Sequence, residues 1–176
     1  GIITTNSKDL MEKIKKLRNY GSSIKYQNDL IGRNSRLDEL QAAFLRIRIK
    51  TIEKENDKRR LLAQKYISNL KNVGIPISLP MIPSHDYKHS WHLFVIMTRG
   101  RDDLQKYLRN HNIDTLIHYP IPPNKQKAFS DHPLSKLSLP ISEEIHSKCL
   151  SLPISSQHSI KEIDYVSEKI ISYFKR

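Results

Sequence analysis

Residues 35–45, SRLDELQAAFL, open with a Ser-x-x-Asp spacing of the kind that caps a helix, and neither Pro nor Gly follows until Gly74. This predicts one long helix, or two with a kink, over residues 35–71. Leu37, Leu40, Phe44 and Ile47 line its first apolar face, and Leu61, Leu62, Tyr66 and Leu70 resume it beyond a very polar middle. A helix with apolar ends and a charged centre crosses between two packed regions, so that only its ends need burial.

Working outward, GIITTN (residues 1–6) reads as the end of a strand. Ser7 then caps a helix carrying Leu10, Ile14 and Leu17, with Lys15, Lys16 and Arg18 in its last turns, where cations complement the helix dipole. Asn19, Tyr20 and Gly21 end it, and a loop or extended stretch runs to Arg33. On the other side, Pro76, Pro80 and Pro83 make an extended connection. Residues 91–98 (WHLFVIMT) form an apolar strand. Residues 101–111 form a short helix on Leu104, Tyr107 and Leu108. Residues 114–117 make a second strand that runs into His118, Tyr119 and Pro120, and Cys149 to Leu152 a third. Ser159 and Glu162 box the start of a last helix that turns Ile163, Val166, Ile170 and Phe174 inward. This order of elements gives an α/β or α+β domain without repeats or a clean linker.

With 38% hydrophobic and 27% charged residues, the 176-residue chain has the composition of a globular protein able to bury a core. Its single cysteine, Cys149, excludes an internal disulfide framework and suits a reducing, cytoplasmic setting. No apolar run reaches the roughly 20 residues that span a bilayer. The net charge of +12 predicts attraction to anions. Much of it, however, lies on Arg46, Arg48, Lys50, Lys54, Lys58, Arg59, Arg60 and Lys65, interrupted by Glu53, Glu55 and Asp57. Mixed signs at helical spacing suit a solvated face rather than a nucleic-acid stripe. A basic nucleic-acid-binding module stands only as an alternative.

Candidate chemistry is sparse. His85, His89 and His92 lack the helical geometry and the additional ligands of a metal site, so no metal is expected. Cys149 sits within an apolar strand and reads as core. His118 ends a strand and opens a proline-rigid loop, a position where α/β folds place functional groups. Gly32, Arg33, Asn34, Ser35 and Arg36 set an amide, a hydroxyl and two cations just before a helix start. There the free N–H groups would suit a phosphate, unless Ser35 merely caps and the arginines are solvated.

Taken together, GIITTN, LRNYG, IGRNSRLDELQAAFL, HSWHLFVI, RDDLQKYL, TLIHYPIPP, LPISEEI, CLSLPIS and EIDYVSEKI resemble the C-terminal half of the DegT/StrS-like sugar aminotransferases. These are pyridoxal-phosphate enzymes of the aspartate-aminotransferase fold (fold type I) that aminate keto groups on nucleotide-linked sugars. The resemblance implies that residues 1–34 end the large cofactor-binding domain, 35–71 form the long connecting helix and 72–176 the C-terminal small domain. It implies that Asn34 reaches the pyridoxal-phosphate phosphate of a neighbouring subunit in a homodimer, with Arg36 and Tyr20 near the same interface. His118 and Tyr119 would form a wall near the sugar. The family's H-Y-P-x-P-x-H run ends here in Asn124.

The family's Schiff-base lysine and the aspartate that pairs with the pyridine nitrogen precede the segment matching Gly1, and the first methionine is Met11. The expectation is therefore the second half of an enzyme. The parent would move an amino group from L-glutamate to a nucleotide-linked keto-deoxysugar for polysaccharide or glycoconjugate synthesis. This chain alone would be inactive, because it lacks the lysine that such chemistry needs. A non-catalytic truncated remnant is the other alternative.

Overall fold

The computed structural model describes every residue except 83, 85 and 86. It divides into two compact units, Gly1–Thr51 and Ile52–Arg176.

In the first unit α1 (Lys8–Leu17) starts at Ser7, whose Oγ accepts from the Leu10 N–H at 3.2 Å. A small antiparallel hairpin follows, β1 (Ser22–Ile24) and β2 (Gln27–Asn28), turning at Tyr26 with φ of 68°. What holds this unit is backbone. The N–H groups of Tyr20 and Gly21 reach the carbonyls of Arg33 and Lys16, and those of Arg33 and Ser35 reach Leu17 and Arg18, all at 2.8–3.1 Å. Two glycines permit this crossing. A Cβ on Gly21 (φ +81°) would lie 1.7 Å from the Leu30 carbonyl oxygen, and one on Gly32 would lie 2.2 Å from the Gly21 nitrogen. The unit ends in α2 (Glu39–Arg48), capped by Asp38, whose carboxylate accepts from the N–H groups of Leu40 and Gln41.

The second unit opens with α3 (Ile52–Leu70) and stops it at Asn72 and Gly74, both at positive φ. Then come β3 (Ile77–Ser78), β4 (Phe94–Thr98), α4 (Arg101–Arg109), three short 3-10 turns between Pro123 and Lys136, α5 (Pro140–Lys148), β5 (Cys149–Leu152) and α6 (Ile160–Phe174). The strands form one antiparallel sheet in the order β3-β4-β5, with Ile77 opposite Thr98 and Phe94 opposite Leu152. Leu62, Tyr66 and Leu70 of α3, Phe94 and Ile96 of β4, Leu104 and Leu108 of α4, Leu150 and Leu152 of β5, and Ile163 and Ile170 of α6 make the core. Tyr66 stacks on Phe94 with centroids 4.7 Å apart and donates its hydroxyl to the Pro153 carbonyl at 2.9 Å, so its buried polar atom is satisfied.

Several sequence expectations are corrected. Of the two forms expected for residues 35–71, a single helix or two with a kink, it is the second that forms: residues 49–51 interrupt the helix, and the division between the units falls there. Ser35 is not the cap, because Asp38 supplies it and the helix begins at Glu39. Residues 1–6 form no strand, since no other described backbone pairs with them. The strand expected over 91–98 starts only at Phe94. Trp91 has φ of 48°, outside the β region, and its N–H goes to the His89 ring. Residues 114–117 contribute a single bridge, Leu116 to Ser151, and the next bonded pair in that register would set Asp114 against Pro153, which has no N–H to give. The β1–β2 hairpin, β3 and α5 were not foreseen. α5 carries the sequence signal of a proline in its first turn.

Phe94 is fully buried whereas Phe44 on α2 is 67% exposed. In urea titrations Phe94→Ala is expected to cost about 3–5 kcal/mol and Phe44→Ala less than about 0.5 kcal/mol. Equal losses would contradict this core. The Asp164 carboxyl of α6 lies below the usual range because Lys65 and then Asn69 hydrogen-bond to it. A depressed carboxylate contributes stability that is fully present above its unfolded value of about 3.9 and lost as pH falls through the lower folded value. Asp164→Asn should therefore flatten the loss of stability on acidification below about pH 4, and an unchanged acid limb would speak against the contact.

Candidate functional site

The predicted site residues fall into two groups, one in each unit. In the first unit, the crossing of residues 17–21 over 30–35 pairs Asn19 with Asn34 in an isolated antiparallel bridge. Arg36 lies over both: its Nε donates to the Asn34 Oδ1 at 3.1 Å and its Nη1 to the Asn19 Oδ1 at 3.4 Å. The guanidinium also sits 5.8 Å from the centroid of the Tyr20 ring. Tyr20, Asn34 and Arg36 are thus brought together.

The route differs from a helix-end phosphate site. The N-terminus of α2 is already occupied by Asp38, so its dipole is not what an anion would meet. Instead both asparagine oxygens accept from Arg36. The Asn34 amide N–H groups then lack a partner among the described residues, and the outer guanidinium N–H groups are left over. Beside them is an open cavity of about 580 Å³ lined by Tyr20, Ser22, Ser23, Lys25, Tyr26 and Arg36. Donors and cations alongside two phenol rings suit a ligand that is anionic at one end and flat or apolar at another. Lys16 ties the hairpin to α1 through Asp29 at 3.0 Å.

In the second unit, His118 and Tyr119 are adjacent on a loop fastened to β5 and α5. The His118 Nδ1 is 2.9 Å from the Ser151 Oγ, and the Cys149 thiol points to the His118 carbonyl at 3.8 Å. The Tyr119 carbonyl lies 2.5 Å from the His146 Nδ1, while the Tyr119 side chain is 65% exposed. Behind this layer is Arg101, only 8% exposed, which donates to the carbonyls of His146 and Cys149 at 2.5 and 3.4 Å. These carbonyls belong to the end of α5 and the residue that caps it. Arg101 therefore fixes the element that fixes the loop.

Asn124, where the family motif carries its last histidine, is 8% exposed. Its amide donates to the Leu137 carbonyl at 3.2 Å, and its Oδ1 has no partner. It packs as part of the loop's own frame. Cys149 is buried in β5. His85 lies outside the described residues. The His89 ring accepts from the Trp91 N–H at 2.8 Å and lies against the Trp91 ring, tilted by 38°, which is a loop-ordering contact.

Arg101, His146 and Ser151 were missed from the sequence. Arg101 left a signal: a cation in the first turn of a helix opposes the dipole and calls for a compensating partner. Ser151 left a weaker one, a hydroxyl inside an otherwise apolar strand.

A profile of the DegT/DnrJ/EryC1/StrS aminotransferase family matches residues 1–171. The chain is 49% identical over 173 residues to a dTDP-3-amino-3,6-dideoxy-alpha-D-galactopyranose transaminase of Aneurinibacillus thermoaerophilus, covering 98% of this chain and 46% of the relative. It is 37% identical over 154 residues to a UDP-N-acetyl-3-dehydro-alpha-D-glucosamine 3-aminotransferase of Acidithiobacillus ferrooxidans, covering 88% and 40%. Among solved structures, S. venezuelae DesV in complex with a ketimine intermediate superposes with a TM-score of 0.91 at 38% identity, over 98% of this chain and 46% of that one. A Bacillus subtilis protein, ntda with bound cofactor PMP, does so at 0.89 and 31%, over 98% and 41%. These neighbours place the chain in the fold-type I aminotransferase architecture. The chain spans about half the length of the curated relatives it matches.

Arg101→Met keeps the apolar stem but removes both carbonyl contacts. It is expected to cost about 1.5–3 kcal/mol in urea titrations, the range for hydrogen bonds to a charged group. Asp102→Ala, which removes only the exposed ion-pair partner of Arg101, should cost less than about 1 kcal/mol. Equal effects would make the carbonyl contacts incidental.

Proposed function

The chain belongs to the DegT/DnrJ/EryC1/StrS aminotransferase family, and from that premise we propose that the whole protein moves an amino group from L-glutamate to a keto-deoxysugar linked to a nucleoside diphosphate. It works as a cytoplasmic homodimer with pyridoxal phosphate and serves polysaccharide or glycoconjugate synthesis. The names of the two relatives, one a transaminase of a dTDP-linked sugar and one an aminotransferase of a UDP-linked sugar, support the substrate class.

The observation that carries the reading is the pairing of Asn34 with Arg36. Because the Asn34 Oδ1 accepts from Arg36, its amide N–H groups are the part left to meet a ligand, and an anion needs donors of that kind. The residues present therefore fit a cofactor phosphate, held by Asn34 across the dimer interface. Bound there, the cofactor supplies the electron sink that lets an amino group be carried between two substrates. Arg36 and Tyr20 line the same surface, where the guanidinium favours the negative charge of phosphates and the ring shields one side of it. In the second unit His118 and Tyr119 bound the sugar. The excess of positive charge adds a long-range attraction for substrates that bring phosphates of their own.

In the full-length protein, Asn34→Ala should raise the dissociation constant for pyridoxal phosphate roughly 10- to 150-fold, the worth of a hydrogen bond to a charged group. Cofactor absorbance titrations and glutamate-dependent amination of a dTDP-linked keto-deoxysugar measure the two readouts. Residues 1–176 alone should show neither a lysine-linked cofactor band nor amination. Amination by that segment alone, or an unchanged cofactor affinity in Asn34→Ala, would overturn the assignment.

A further inference from the structure

Side chains on a strand alternate between faces, so Cys149 and Ser151 share one side of β5 while Leu150 and Leu152 share the core side. Both polar residues act on the same target. The Cys149 thiol points to the His118 carbonyl and the Ser151 hydroxyl meets the His118 ring, while Leu116, two residues before, is bridged to the Ser151 backbone in both directions at 2.8 and 3.2 Å. The backbone N–H and carbonyl of Ser151 are thereby spent, and its side chain is the only group left to choose a partner. Ser151 is 5% exposed, and among the described residues the His118 Nδ1 is the sole acceptor within reach of its hydroxyl.

That burial decides the direction of the hydrogen bond. If the His118 Nδ1 carried the proton and donated to Oγ, the hydroxyl proton would be buried without an acceptor, which is costly. If the hydroxyl donates to Nδ1 instead, both groups are satisfied and the ring's proton must sit on Nε2. The Nε2 has no partner among the described residues, so it is the atom the loop has left to offer a ligand.

We propose that Ser151 is a positioning residue that fixes neutral His118 in its Nε2–H tautomer, so that the loop presents a hydrogen-bond donor to an oxygen of the sugar substrate. The part played at the sugar rests on the function proposed above; the tautomer does not. A donor at that position can hold a keto or hydroxyl oxygen, and it cannot accept a proton through the same atom.

The test is long-range ¹H–¹⁵N NMR of the imidazoles in the uniformly labelled chain, recorded under alkaline conditions at which the nitrogen shifts themselves report a neutral His118 ring. His118→Asn serves only to assign the cross-peaks. The expected result is a pyrrole-type shift at Nε2 and a pyridine-type shift at Nδ1 of His118. The tautomer ratio should fall roughly tenfold or more in Ser151→Ala and be restored by Ser151→Thr, whose hydroxyl keeps the donor and whose branched Cβ suits a strand. Loss of Cys149 or of packing alone would not move this signature selectively. An Nδ1–H tautomer in the unsubstituted chain overturns the proposal, as does a ratio unchanged by Ser151→Ala. Should Ser151→Ala fail to fold, the unsubstituted spectrum together with Ser151→Thr still decides. Addition of a dTDP-linked sugar to the full-length protein is read separately: the predicted tautomer with no response of His118 to the sugar upholds the positioning role and counts against the substrate reading.

Discussion

Four residues, Cys149–Leu152, are buried in sequence and paired along their length to β4, and at Ser151 they are also bridged to Leu116 on the other edge. An edge strand paired along its length on one side and bridged at Ser151 on the other has little backbone freedom. Leu150 and Leu152 lock it to the helices, and Cys149 and Ser151 transmit that rigidity outward. The His118 loop draws on such a template because Pro120, Pro122 and Pro123 have no N–H with which to pair to a neighbouring strand. Its shape is set by partners that belong to the core. The prolines restrict the loop's own backbone, and the scaffold fixes where it stands.

The first unit solves the same problem by different means. Its helices bury no residue of their own, so apolar packing within the unit cannot be what orders it. Backbone hydrogen bonds do the ordering, at a crossing so close that neither Gly21 nor Gly32 could carry a Cβ. The crossing places Asn19 opposite Asn34, and Arg36 can then reach both oxygens. The glycines in LRNYG and IGRNS are thus as much a part of the site as the polar residues between them. A larger residue at either position would separate the two asparagines before it affected any ligand contact directly.

The sequence made the local signals legible and the long-range ones illegible, for a physical reason. Caps and periodicity act within a few residues. The Ser7 cap, the Ser159–Glu162 box and the apolar faces of α1, α4 and α6 were therefore readable. The helix start after Ser35 was misread because Asp38 competes for the same role three residues on and, lying next to the first turn, wins it. The break at residues 49–51 carries neither Pro nor Gly, so the sequence allowed a kink within residues 35–71 without marking its place. Of the site, Tyr20, Asn34, Arg36, His118 and Tyr119 could be named from motifs resembling a known family. Nothing in their spacing said that Arg36 would bridge two asparagines, or that Ser151, 33 residues from His118, would set its ring.

Arg101 illustrates how a local penalty can be resolved only in three dimensions. At the start of α4 its charge opposes the helix dipole, and its burial removes the water that would otherwise stabilise it. The compensation comes from the opposite end of another helix. The last carbonyls of α5 carry the negative end of that dipole and lack intrahelical donors, so one planar guanidinium satisfies the surplus of both helices at once. Two carbonyls separated along the chain, at His146 and Cys149, are met by a single nitrogen of a rigid fork. A lysine at this position would bring the same charge as a flexible point donor and would pay more side-chain entropy for each contact. The loop carrying His118 and Tyr119 is thus referred, through α5 and β5, to the start of α4, and the geometry of the candidate sugar wall is a property of the whole second unit.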